Sequence, residues 1–362
     1  MEKNHRFSYR WKLEDAVFLK NRGTVFSTFA CGGGSTMGYK LAGFNVIGCN
    51  EIDPRMAACY KKNHQPKYCF IEPIQTFKLR NDLPDELFHL DILDGSPPCS
   101  SFSMSGNRDA DWGKEKKFRE GQSNQVLDTL FFDFIDLAKK LQPKIVIAEN
   151  VKGLMMGDAK QYVIQIYREF ELAGYNVQHW LLDDSEMGVP QRRERVFFIA
   201  LRNDLCPLFN KQKDLFTIAP YLDLKFKEPI IRFGDIRTDE GSDEGVTDWT
   251  KERLALMRPE DKCISDINER HWGKISRFNA LLVDDDDLCP TITATEINYR
   301  KFDKKSFSSL DYCHAGSYPV DYDFIDNKPK YMVGMSVPPI MTAQIATEIH
   351  LQWLSKLKSN AN

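Results

Sequence analysis

Short apolar runs alternate with amphipathic stretches from Thr24 to about residue 200, and the two periods name the elements. Thr24–Phe29, Asn45–Asn50, Tyr68–Ile71, Leu90–Leu93, Lys144–Ala148, Asn176–Leu182 and Val196–Ala200 read as strands, rich in β-branched and aromatic residues and bounded by turn formers. Helices are expected from Ser35 to Gly43, Pro54 to Asn63, Val126 to Leu141 and Gln161 to Leu172. The third carries apolar side chains at Val126, Leu127, Leu130, Phe131, Phe134, Ile135, Leu137, Ala138 and Leu141, the spacing of a core-packed helix. Strand alternating with helix predicts an α/β fold with a doubly wound sheet. From Asn203 the alternation fades. Residues 203–290 mix charges of both signs and hold two acidic runs, Asp239–Glu244 and Asp284–Asp287, so an inserted, loop-rich domain is expected. Its best basic and aromatic patch is Arg270–Arg277. Cys289–Thr295 reads as a short strand or bend. A last helix, Ile340–Leu357, places Ile345, Ile349, Trp353 and Leu354 on one side and should return to the first domain. The expected boundaries are 1–202, 203–315 and 316–362.

Composition bounds this picture. With 362 residues, 42% of them hydrophobic, the chain can build two domains, or one with a large insertion. No apolar run is long enough to span a bilayer, and Met1–Arg6 lacks the apolar core of a signal peptide. Nine cysteines are scattered without a CxxC pair, which argues for a reducing, cytoplasmic setting and against a disulfide framework or a zinc site. A net charge of −3 confines any nucleic-acid surface to a local patch. Residues 1–23 interleave Arg6, Arg10, Lys12, Lys20 and Arg22 with aromatic residues; they read as a lead-in segment packed on the main domain, or as an arm along a phosphate backbone.

Candidate chemistry clusters at strand ends. Ala30-Cys31-Gly32-Gly33-Gly34 lies between a strand and a helix, and Glu51 ends the next strand. Glycines there let a backbone approach a ligand, and the acid can bind a ribose diol, so an adenosine-type cofactor is expected; no strict GxGxxG is present. Glu72 ends a third strand and could meet the adenine end of that cofactor or cap a turn. Ser96-Pro97-Pro98-Cys99 stops a strand, because proline cannot donate to the ladder, and sets Cys99 on a rigid loop where a stabilised thiolate could act as a nucleophile. Ser105–Gln122 is charged, without apolar periodicity, and reads as a lid. Glu149-Asn150 closes a strand beside that of Cys99. Gln191-Arg192-Arg193-Glu194-Arg195 carries guanidinium groups into a buried strand, which calls for anionic partners or a substrate's acceptor oxygens.

In this order the motifs resemble those of the DNA (cytosine-5) methyltransferases that use S-adenosylmethionine. Phe29-Ala30-Cys31-Gly32-Gly33-Gly34 is similar to the family's cofactor loop, with Cys31 where glycine is usual. Pro98-Cys99, Glu149-Asn150-Val151 and Gln191–Arg195 resemble its catalytic elements, and Pro290-Thr291-Ile292-Thr293 and Gly334–Pro339 its last two motifs. The resemblance runs from about residue 24 to the C-terminus and implies a Rossmann-like methyltransferase fold with a mixed sheet and a smaller, irregular target-recognition domain. Residues 203–290 match nothing in particular, as expected of a part that reads a target sequence.

The resemblance also assigns roles. Cys99 would add to carbon 6 of a cytosine flipped out of double-stranded DNA; Glu149 would contact its N3 and amino group and share a proton; Arg193 and Arg195 would serve the base's O2 and the thiolate. Carbon 5 would then take the methyl group, and loss of its proton with elimination of Cys99 would release the product. The implied cofactor pocket comprises Phe29, Cys31, Gly32, Gly33, Gly34, Glu51, Ile52, Glu72, Pro98, Leu130, Asn150, Met335, Ser336 and Val337, with no metal. Met335 stands where the family usually has asparagine, and methionine cannot supply an amide's hydrogen bonds. A monomer acting on nucleoid DNA of a bacterial or phage-infected cell is expected. An RNA cytosine-5 methyltransferase, a non-catalytic DNA-binding relative and a nicotinamide oxidoreductase are the competing readings; the last leaves Cys99 without a role.

Overall fold

A computed structural model describes residues 5–98, 115–116, 125–126, 129–156, 160–209, 220–275 and 280–359. The chain separates into two compact units, each discontinuous in sequence. The larger gathers Val17–Asp183, Glu194–Lys225 and Thr342–Asn362, the smaller Met1–Ala16, Asp184–Arg193 and Phe226–Met341. This division differs from the expected 1–202, 203–315 and 316–362. The N-terminal segment joins the smaller unit because Trp11 Nε1 donates to Ser317 O at 2.9 Å and the Leu13 amide donates to Asp321 at 2.7 Å.

In the larger unit, β1 (Thr24–Thr28), β2 (Asn45–Asn50), β3 (Tyr68–Phe70) and β4 (Ile92–Gly95) precede a two-residue ribbon, β5 (Glu115–Lys116) with β6 (Gln125–Val126). Then come β7 (Ile145–Val151), β8 (Tyr175–Asp183) and β9 (Glu194–Arg202). Seven of these form one sheet in the order β3-β2-β1-β4-β7-β9-β8. Its pairings are parallel except that β9 runs antiparallel to both its neighbours. The expected mixed, doubly wound sheet is therefore present.

The helices follow from apolar spacing and caps. They are α1 (Gly34–Leu41), α2 (Pro54–His64), the single turn α3 (Ile74–Phe77), α4 (Leu130–Leu141) and α5 (Lys160–Leu172). Asp53 caps α2 by accepting from the amides of Arg55 and Met56, and Pro54 occupies its first turn. Helix α4 starts at Leu130, later than the expected Val126, because Val126 pairs with Glu115 in the ribbon. Its buried face carries Leu130, Phe131, Phe134, Ile135, Leu137, Ala138 and Leu141. These side chains pack with Phe26, Leu93, Val146, Ala148 and Phe198 and with Tyr162, Ile166 and Phe170 of α5. Since side chains alternate across a strand, Ser27, Asp94, Ile147, Glu149 and Arg195 point to the opposite face.

The smaller unit contains α6 (Phe233–Ile236), α7 (Asp248–Ala255), α8 (Ile264–Trp272), the parallel pair β10 (Leu281–Val283) and β11 (Asn298–Arg300), α9 (Ser309–Ala315) and α10 (Pro329–Met335). Leu254, Ile264, Ile267, Leu282 and Tyr299 form an apolar cluster. Beside it Arg300, wholly buried, bonds Asp303 at 2.9 Å and the equally buried Asp311 at 3.3 Å. Asp311 belongs to the capping box that opens α9. On the surface, Arg253 lies 3.9 Å from the ring centre of Trp249 and 4.4 Å from that of Trp272. Residues 291–295 form a bend, not a strand.

The expected last helix is interrupted. Helix α11 (Pro339–Ile349) gives way to a π-helical turn at His350–Leu354 before α12 (Ser355–Ser359). The wider turn buries both Trp353 and Leu354, each 1% exposed. Thr342–Asn362, and with it most of this helix, groups with the larger unit.

Candidate active site

The strand order reverses between β1 and β4, where the chain steps outward to β2 and β3 on one side and back to β4 and β7 on the other. Ligands of open α/β sheets bind outside the carboxyl ends of the strands at such a point. The glycine loop follows β1 there. Phe29 (φ 51°), Cys31 (φ 47°) and Gly33 (φ 88°) all adopt left-handed backbone. Gly33 cannot be replaced freely, because a Cβ there would overlap the His64 ring, which also bonds Gly32 O at 3.2 Å. Burial drives the His64 pKa down to about 3, so the ring packs behind the loop in its neutral form.

Glu51, at the end of β2, is 7% exposed. Its Oε2 accepts from the Cys31 amide at 2.7 Å and its Oε1 from the Asp53 amide at 2.9 Å. Burial raises its pKa while those amides oppose the rise. The carboxylate is an acceptor, the chemistry that the hydroxyls of a ribose call for. Ile52 is half-buried beside it. Glu72, after β3, is engaged by Arg80 at 2.9 Å, while Asn50 Nδ2 holds the Glu72 carbonyl at 2.9 Å.

After β4, Gly95 is hemmed in; a Cβ there would lie 2.6 Å from the Phe134 ring and 2.6 Å from Thr28 Oγ1. Ser96–Pro98 follow, and Cys99, with most of the expected lid Ser105–Gln122, lies outside the described residues. Asn150 is buried and spends its amide on Pro97 O (3.1 Å) and its oxygen on the Val151 N–H (2.9 Å). Its place is therefore to brace the loop that leads to Cys99. On the neighbouring strands Glu149 sits opposite Phe197, and Arg195 is two residues away on the same face. Register thus predicts the contact that is seen: Arg195 Nε lies 3.0 Å from Glu149 Oε1.

Two expected site residues are placed otherwise. Leu130 is wholly buried in the α4 core cluster. Arg193 is 4% exposed and does not present its guanidinium to a base. In the smaller unit it donates to Ile292 O and Gly334 O, both at 2.8 Å, and so joins the Pro290–Thr293 and Gly334–Pro339 segments. Gln191 Oε1 accepts from the Ile292 amide at 3.1 Å, reinforcing that junction. Gly334 packs so closely on the Thr293–Ala294 backbone that no side chain fits. Of the remaining expected residues, Met335 is 45% exposed at the end of α10. Ser336 is buried, donating to Met332 O at 2.8 Å and accepting from Tyr318 at 2.6 Å, and Val337 is buried beyond it.

The sequence reading missed Asp94. It is a buried carboxylate on β4 that accepts from Ser27, Ser35 and Tyr39. An acid inside an apolar strand, with hydroxyl residues at Ser27 and Ser35, was the available signal.

A glycine loop, a buried acid at the end of the second strand, and an antiparallel strand inserted beside the last define a methyltransferase of the Rossmann-like class. The chain belongs to the family of C-5 cytosine-specific DNA methylases, whose model matches residues 23–351. It is 36% identical over 181 residues to the Type II methyltransferase M.FnuDI of Fusobacterium nucleatum, a match covering 50% of this chain and 47% of that relative. With M.Sau96I of Staphylococcus aureus, also a Type II methyltransferase, it shares 29% identity over 338 residues, covering 87% and 74% of the two chains. The chain thus spans under half the length of the first and most of the second. Its fold is that of the S. pombe Dnmt2 methyltransferase, with a TM-score of 0.56 at 16% identity over 94% of this chain and 99% of the other. No helix among the described residues is long and apolar enough to cross a membrane.

Proposed function

We propose that this chain methylates carbon 5 of cytosine within one short sequence of double-stranded DNA, using S-adenosylmethionine and a covalent bond from Cys99 to carbon 6 of the flipped-out base. The observation that carries this reading is the Glu149–Arg195 pair at the carboxyl end of the sheet, one strand from the Pro98-Cys99 loop. Glu149 holds the base's N3 and amino group and shares a proton there; Arg195 orients Glu149 and supplies a donor toward O2. Asn150 keeps the Cys99 loop in place by its bond to Pro97 O. Glu51 would accept from the ribose hydroxyls and the loop Phe29–Gly33 would help to hold the cofactor, which when bound supplies an electrophilic methyl group. Methionine at 335 cannot supply the amide's hydrogen bonds that the family's usual asparagine would. Arg193 organises the two C-terminal motifs through the Ile292 and Gly334 carbonyls. Likeness to bacterial Type II methyltransferases supports a fixed recognition sequence and a place in restriction–modification in the cytoplasm.

The test is expression in a host without cytosine methylation, followed by single-base mapping of 5-methylcytosine. Methylation in one short context, lost in Cys99→Ala and Glu149→Gln, is the expected result. Folded protein that leaves every cytosine unmodified, and transfers no labelled methyl group to DNA when purified, overturns the reading.

A further inference from the structure

Asp94 has no part in the chemistry above, yet it is a heavily bonded carboxylate on the strand that leads to Cys99. Its side chain is 4% exposed. Ser27 Oγ and Ser35 Oγ donate to its Oδ2, each at 2.8 Å, and the Tyr39 hydroxyl donates to its Oδ1 at 3.0 Å. Thr28 Oγ1 adds a bond to its main-chain oxygen at 3.1 Å. Ser27 belongs to β1, which runs into the glycine loop. Ser35 and Tyr39 belong to α1, which leaves that loop. Asp94 itself lies on β4, four residues ahead of Pro98.

We propose that Asp94 is a positioning residue which, when ionised, locks the glycine loop from both its ends onto the strand that leads to Cys99. The proposal rests on the methyltransferase reading and explains how cofactor and nucleophile are kept in register. A buried carboxylate is costly unless paired, and none of the bonds to Asp94 comes from a cation. Apolar packing would join three elements more cheaply, so the carboxylate is retained for the directionality of its bonds. The groups that face it are Ser27 on β1, Ser35 and Tyr39 on α1, Tyr60 on α2, and Glu149 on β7, itself paired with Arg195 of β9. Burial, opposed by the hydroxyls and aided by Glu149, brings its pKa up to about 6. A protonated carboxyl must donate one of its bonds, so one of the three hydroxyls has to turn from donor to acceptor and all three lose their charge-assisted bonds to the carboxylate. The loop therefore slackens as pH falls through about 6.

The experiment measures S-adenosylhomocysteine binding by calorimetry from about pH 8 to about pH 5.5, with thermal unfolding alongside. If only the ionised form is competent, wild-type affinity falls about fourfold over that range. Asp94→Asn should bind about tenfold more weakly at pH 8, lose the pH dependence and unfold no lower than wild type. A residue that merely stabilised the fold would lower the unfolding temperature with affinity unchanged. Ser35→Ala, which removes one donor and leaves the carboxylate, should bind about threefold more weakly and keep the pH dependence; it decides the matter if Asp94→Asn does not fold. Wild-type affinity in folded Asp94→Asn, or in Ser35→Ala, overturns the proposal, as does a flat wild-type profile. A wild-type protein that binds no S-adenosylhomocysteine and methylates no DNA removes the methyltransferase reading instead.

Discussion

Phe134 and Arg300 are both wholly buried, one in each unit, and they hold their surroundings by different means. Phe134 lies in a continuous apolar layer between sheet and helices, where shape complementarity and removal from water stabilise. Arg300 is a charge held by Asp303, Asp311, Thr238 and the Asp239 carbonyl. The larger unit is thus sensitive to volume and the smaller to charge and bond direction. That contrast fits a unit with a fixed internal frame beside one whose short elements are fastened by side-chain bonds.

The comparison can be broken at several points. Phe134→Ala should cost about 3–5 kcal/mol, as large-to-small core changes do, while Phe134→Leu should cost roughly 1–2 kcal/mol. Arg300→Met should cost about 3–5 kcal/mol although it adds apolar volume, because Asp311 would remain buried without its cation. Urea unfolding of the full chain measures each, and a cost under about 1 kcal/mol for Arg300→Met would remove the distinction. Next in size is Gly33→Ala. Left-handed backbone penalises it by roughly 1–2 kcal/mol and the His64 ring must also move, so both the unfolding midpoint and cofactor affinity should fall.

A pH effect of similar size separates the units further. The folded pKa of His64, about 3, lies below its ordinary 6.5. Between these values the unfolded chain binds a proton that the folded chain does not, so stability is retained above about pH 6.5 and lost as pH falls toward 3. At pH 5 the loss is at most about 2 kcal/mol, and it should vanish in His64→Gln. Equal pH dependence in the two proteins would show that His64 protonates freely when folded. The smallest expected change is on the surface of the smaller unit. Trp249→Ala, which takes one ring from Arg253, should cost about 0.5–1 kcal/mol and leave methylation in place.

The same contrast decides what could be read from sequence. Strand β2 matches its expected range Asn45–Asn50, and α2 extends past its expected end by one residue, because periodicity and a proline start are local signals. The register of β7 and β9 brings Glu149 and Arg195 together, a contact that motif order alone did not give. Arg193 was misjudged because the carbonyls it grips lie 99 and 141 residues further along, a distance over which a single sequence carries no pairing signal. Helices α6 to α8 were hidden among charges of both signs. Helix α10 was missed as well: it is seven residues long and contains Gly334. The π-turn in the last helix leaves no mark in composition. Asp94 was overlooked because an acid in a strand ordinarily signals solvent, and only the convergence of three hydroxyls shows otherwise.

Arg193 and Gln191 have an evolutionary consequence. Both engage main-chain groups, the carbonyls of Ile292 and Gly334 and the amide of Ile292, which any residue but proline would offer at 292, while position 334 admits only glycine. Exposed side chains of the smaller unit can therefore drift or be exchanged without loosening these anchors. A transplant between relatives within Phe226–Met341 should keep Gln191, Arg193 and Gly334 and the buried Arg300–Asp311 pair, and treat the exposed positions as replaceable.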